Sequence, residues 1–105
     1  MDAKYRLKIA PAAAEDLDKI YAYISDALDA PVAAQNLMDK IEKSFFSLCR
    51  APHRCELSRN EALKTKGYRR LVVDNYIALY LVDDLGKAVV ITRVFYGAMD
   101  YAKYL

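Results

Sequence analysis

The chain has 105 residues, 55% of them hydrophobic, and a formal net charge of +2. That length fits one domain (1–105) with a single core that needs no staples. Its longest apolar run, Tyr76–Val82, has seven residues, far below the roughly 18 that span a bilayer, and the first residues, MDAKYRLKIAP, hold no apolar stretch of signal-peptide length. A cytoplasmic protein without membrane contact is therefore expected.

From the start, Tyr5, Leu7 and Ile9 alternate with Lys4, Arg6 and Lys8, the period of a half-buried strand. Pro11 ends it and suits the first turn of a helix, with Glu15 and Asp16 near the positive end of the helix dipole. Leu17, Ile20, Tyr21, Ile24 and Leu28 then fall on one helical face. Asp29-Ala30-Pro31 reads as a break and restart with Asp29 as candidate N-cap. Ala34, Leu37, Met38, Ile41, Phe45 and Leu48 make a second stripe. The segment Cys49 to Gly67 has no sustained period and reads as a loop with room for a turn of helix. Loops this long in small domains are often functional.

Three strands follow, at Arg69–Val73, Tyr76–Val82 and Ala88–Tyr96, with turns at Asp74-Asn75 and Asp83–Lys87 and a short tyrosine-rich tail. The predicted fold is α+β, in the order β-α-α-β-β-β-tail, with a small, mainly antiparallel sheet on a helical hairpin. The middle strand is apolar on both faces, with Tyr76, Ala78, Tyr80 and Val82 on one and Ile77, Leu79 and Leu81 on the other. A sheet covered by helices on one side normally shows polar residues on the other. The tail, a second subunit or a protein partner is therefore expected over Ile77, Leu79 and Leu81.

Charge is uneven. Between Arg50 and Arg70 seven cations (Arg50, Arg54, Arg59, Lys64, Lys66, Arg69 and Arg70) face only Glu56 and Glu61, while the segments on either side are net negative. Such a patch suits phosphate or an acidic protein. Cys49, His53 and Cys55 match no common zinc spacing, so no metal is expected. His53, the only histidine, sits in the basic loop, and no serine–histidine–acid triad can be argued from it. No Gly-rich phosphate loop or other cofactor motif occurs.

The strand-then-proline start (LKIAPAAAEDLDKIYAYI), the KGYRRL lead into the sheet, NYIALYLVDD in the hairpin and RVFYGAMDY at the end resemble the RelE/ParE family of type II toxin–antitoxin toxins, also called plasmid-stabilisation proteins. The resemblance implies growth inhibition, neutralisation by a cognate antitoxin laid across an open face, and operator DNA bound only as the toxin–antitoxin complex. Ribonuclease members cut messenger RNA on the ribosome, with a 2′-hydroxyl attacking the adjacent phosphate, and such chemistry needs cations for the phosphorane and groups to move protons. The resemblance assigns the cation entering the sheet to Arg69 or Arg70, with Lys64 and Lys66 near, and leaves Arg93, Tyr96, Tyr101 and Tyr104 as further candidates. Ile77 and Met99 stand where the nuclease pattern has arginine. Lys66, Arg70, Arg93, Tyr96 and Tyr101 are therefore the candidate catalytic group. Arg54, Arg59, Lys64, Lys66, Arg69 and Arg70 form the candidate target-binding patch, and Ile77, Leu79 and Leu81 the candidate antitoxin surface. The ParE branch, which lacks the nuclease residues and poisons DNA gyrase, is the expected assignment. A ribosome-dependent, metal-independent endoribonuclease with a rearranged site and a non-toxic antitoxin-binding member are the alternatives.

Overall fold

A computed structural model describes residues 4–98. Strand β1 (Arg6–Ile9) leads through Pro11, at the first helical turn, into α1 (Pro11–Ala22), a π-helical turn (Tyr23–Ala27) and α2 (Pro31–Leu48). A single helical turn, α3 (Glu61–Thr65), precedes β2 (Arg69–Val73), β3 (Tyr76–Asp83) and β4 (Ala88–Tyr96). The sheet order is β1-β4-β3-β2, with β1 parallel to β4 and the other pairs antiparallel. The predicted α+β order holds, and the middle loop holds its turn of helix. No helix of the described residues is long and apolar enough to cross a membrane.

Two local expectations change. The first concerns the hairpin of helices. Leu28 N–H donates to the Tyr23 carbonyl five residues back at 3.1 Å, and Ala30 N–H to Ile24 at 3.0 Å. The widened turn takes up an extra residue and rotates Leu28 off the predicted stripe. Leu17, Ile20 and Ile24 still pack on the core, whereas Tyr21 and Leu28 are exposed. The second concerns the restart. Ala30, with no side-chain cap, occupies the N-cap of α2, and Asp29 instead holds a left-handed φ of 50° in the link. Aspartate tolerates that conformation better than most residues.

The main core lies between the helices and one face of the sheet. Leu37, Ile41, Phe45 and Leu48 from α2 meet Leu71, Ala78, Tyr80, Val89 and Ile91. The opposite face carries a smaller cluster in which Leu63 of α3 covers Ile77, Leu79 and Phe95, with Tyr68 against it. Ile77 is 4% exposed and Leu79 fully buried. The expectation of a bare Ile77-Leu79-Leu81 surface is therefore corrected. The loop between α2 and β2 folds back over this face, and Asn60 fixes it there by capping α3 through Oδ1 to the Leu63 N–H at 3.2 Å. Only Leu81 of the three stays half-buried.

Antiparallel pairing slips between Leu79 and Tyr80, so that Tyr80 faces Ile91 and Leu79 faces Arg93, with Thr92 as the extra residue. The Thr92 hydroxyl donates to the Leu79 carbonyl at 3.0 Å and steadies this bulge. Its effect is to keep both Ile91 and Val94 in the helix-side core.

Candidate functional site

The basic segment is divided by the pleat of β2. Arg69 Nη1 donates to the Cys55 carbonyl at 2.6 Å and to that of His53 at 3.3 Å. Across the ladder from Arg69 stands Tyr80, whose hydroxyl donates to the Pro52 carbonyl at 2.9 Å. Burial pushes that phenol far above its ordinary value, so it holds its proton. Arg69 and Tyr80 thus fasten the loop that follows α2 by its carbonyls. Arg70 lies on the other face, where its backbone N–H donates to the Glu56 carbonyl at 3.0 Å and its Nε is buried without a hydrogen-bond partner among the described residues. Arg54 donates to the Ser47 hydroxyl at 2.8 Å. Arg59 and Lys64 line a hollow that also contains Glu56 and Glu61. Lys66 caps the C-terminal end of α3.

Among the described candidate catalytic residues, Arg70, Arg93 and Tyr96 do not converge. Arg70, Leu79 and Arg93 form one row across β2, β3 and β4. With strands about 4.8 Å apart, the two arginine backbones stand about 10 Å from each other with a leucine between them. The Arg93 guanidinium is turned to α1, where Nε and Nη2 donate to the two Asp16 oxygens at 2.8 and 2.9 Å. Asp16 Oδ2 also accepts the Val94 N–H at 3.0 Å. This carboxylate occupies the edge of β4 that β1, ending opposite Ile91, leaves unpaired. Asp74, at the turn after β2, pairs with Lys40 at 2.9 Å. In the sequence Asp16 read only as a helix-dipole residue, and nothing in its spacing pointed to a strand 77 residues away.

Tyr96 stacks edge-on against Tyr76, with ring centroids 5.7 Å apart and planes at 75°. Tyr76 packs against the helix-side core, so this pair belongs to the face opposite Arg70. Met99, Tyr101 and Tyr104 lie outside the described residues. The hairpin position held by arginine in nuclease members is Ile77, sealed in the smaller cluster. His53 Nε2 meets Asp84 Oδ1 at 3.0 Å, and Tyr5 donates its hydroxyl to the same oxygen at 2.6 Å. The tyrosine first, then the histidine, holds the Asp84 carboxyl below the usual aspartate range. Cys49 and Cys55 are both free thiols.

A groove of about 620 Å³ runs between α1 with its π turn and the far half of β4. Ile20, Tyr23, Leu28, Tyr76, Val94 and Tyr96 supply its apolar lining, and Asp16, Lys19 and Arg93 its polar groups. Tyr23, Leu28 and Tyr96 are exposed there. The π turn creates this surface by displacing Leu28 from the core, a shift that helical periodicity does not reveal.

The fold has solved counterparts. One is a chain of the chromosomal ParDE toxin–antitoxin system from P. aeruginosa, with a TM-score of 0.72 and 25% identity over 90% of this chain and 97% of that one. Another is a chain of the toxin–antitoxin complex RelBE2 from Mycobacterium tuberculosis, with a TM-score of 0.62 and 26% identity over 89% and 98% of the two chains. No curated protein matches the sequence. The family described as the ParE toxin of type II toxin–antitoxin system, parDE, matches residues 7–101, and the chain belongs to that family.

Proposed function

We propose that this toxin acts by occupying an essential protein target, DNA gyrase, and not by cleaving RNA. The observation that carries this reading is the use already made of its cations. Arg69 holds loop carbonyls and Arg93 is paired with Asp16. The remaining arginine position of the hairpin is a buried isoleucine. A pentavalent phosphate needs positive groups free and aimed at one point, and removing one such group typically lowers rate by about 10²–10³. Arg70, with leucine beside it and the exposed Lys64 and Lys66 on the preceding helical turn, does not supply that arrangement.

Neutralisation by a cognate antitoxin fits the groove between α1 and β4 better than the face around Ile77 and Leu79. Exposed aromatic and aliphatic side chains with a few charged neighbours are the usual chemistry of an anchor site for an amphipathic partner. Supercoiling by purified gyrase tests the target. Antitoxin-free protein should inhibit it in a dose-dependent way, and unchanged supercoiling at a large molar excess contradicts the proposal.

A further inference from the structure

The segment between Glu56 and Arg70 closes on itself. The Ser58 N–H donates to the Tyr68 carbonyl at 2.8 Å and Leu57 bridges Arg69, so the two ends of the loop meet in a narrow neck. Compact loops of this kind are frequently functional. Inside the neck the hydrogen bonds are local. The Asn60 N–H donates to the Ser58 hydroxyl at 3.2 Å, the Leu63 N–H to Asn60 Oδ1 at 3.2 Å and the Thr65 hydroxyl to the Glu61 carbonyl at 2.8 Å. The amides of Lys64, Lys66, Gly67 and Tyr68 donate to the carbonyls of Asn60, Leu63, Lys64 and Leu63. Among the described residues, none of 59–67 forms a hydrogen bond or ion pair outside 58–68.

Apolar contact holds this loop on the sheet. Leu63 is fully buried against Ile77, Leu79 and Phe95, and of residues 59–67 it alone is buried. Tyr68 packs on the same cluster from the neck. The five residues of α3 are too few to stay helical in water, so the turn persists where the sheet supports it. Gly67 leaves the helix at a φ of +88°, which glycine adopts without steric cost, and nothing lies within 4 Å of where a side chain would begin. On the face that the loop covers, Arg70 stands opposite Leu79 in the ladder, with its Nε buried and lacking a hydrogen-bond partner among the described residues. Any motion that hydrates this N–H lowers the cost of leaving the closed form.

We propose that residues 59–67 form a strap that lifts from the sheet as one unit while the strands beneath stay paired. Lifting takes Leu63 out of its contacts and breaks no hydrogen bond to the strands. Once free of the sheet, α3 loses its support and its amides meet water. The open form uncovers Ile77 and Leu79, so that a sealed face becomes an apolar strip beside the Arg70 guanidinium. The helix-side cover behaves differently, since Leu37, Ile41, Phe45 and Leu48 of α2 have to leave together. Elements fixed by few buried groups open well before the whole molecule unfolds. The inference rests on neither the gyrase assignment nor the groove between α1 and β4.

Native-state amide exchange on the full-length protein is the test. The amides of Leu63, Lys64, Lys66 and Gly67 should share one protection factor, at least about a hundredfold below that of the ladder amides of β3 and β4. Leu79→Cys, under the strap, and Ile91→Cys, under the helices, give a second readout at two positions that are fully buried in the parent protein. Modification by a thiol reagent, located by peptide mass so that Cys49 and Cys55 stay in place, should run at least about a hundredfold faster at position 79 than at 91. If either variant fails to fold, exchange in the parent protein decides alone. Residues 63–67 exchanging one by one or only together with the ladder, or equal modification at the two positions, would overturn the inference.

Discussion

The helix-side face of the sheet is sealed by side chains from β1, α1 and α2, whereas the opposite face is closed by one helical turn and a tyrosine. Both faces of β3 are buried, yet the second cover is a five-residue element ending a long loop. The difference teaches that an apolar strand face in a small domain can be satisfied by its own connecting loop. It also bears on function, because the loop that closes this face is held by Arg69, a cation that phosphoryl chemistry would otherwise use.

Substitutions at the centres of the two covers give the largest contrast. Phe45→Ala, on the helix side, should lower unfolding free energy by about 3–5 kcal/mol, since a fully packed site cannot collapse around the void. Leu63→Ala, equally buried, should cost about 2–3 kcal/mol because a single turn of helix can settle toward the sheet. Urea denaturation of both variants measures this, and a larger loss for Leu63→Ala would reverse the ranking of the two faces.

Next in size is Asp16→Ala. It removes the acceptor for the Arg93 guanidinium and the Val94 N–H at a site where the aspartate side chain is 12% exposed. A loss of about 2–3 kcal/mol is expected. Asp16→Asn should recover part of it, because the amide oxygen can still accept the Val94 N–H. Thermal unfolding of the pair distinguishes an edge cap from a dispensable surface ion pair.

Asn60→Ala should cost about 1 kcal/mol, the usual value of an N-cap. Amide exchange should show the loss concentrated at α3 and the residues it covers. The smallest effect is pH dependence at Asp84. Its folded-state pKa is lowered, so its contribution is present above the ordinary aspartate value of about 4 and fades as pH falls through the lowered one. Asp84→Asn should remove that portion of the acid titration of stability. Both partners are exposed, so the change is small.

Alternation and helical period made the order of elements legible, because each strand and helix has one face that must be buried. The same reasoning made the doubly apolar β3 visible from Tyr76–Val82. What covers its second face was not legible, since Leu63 and Tyr68 sit in a segment without period and only the folded loop brings them to Ile77 and Leu79. Long-range electrostatics were equally hidden. Arg93 read as a candidate catalytic cation, and only the fold brings Asp16 of α1 beside it. The π turn at Tyr23–Ala27 carries no glycine or proline to announce it, yet it exposes Leu28 and shapes the groove. Family resemblance located the positions where chemistry would act, and burial and pairing decide what those positions can do.

The central claim is the proposal that Arg69 and Arg93 are committed to holding the scaffold together, so that no centre for cutting RNA is assembled. Primer extension across translated transcripts after induction in cells measures this directly. Growth arrest without new 5′ ends is the predicted result. Arrest accompanied by discrete new ends within codons, abolished by Arg70→Ala, would contradict it.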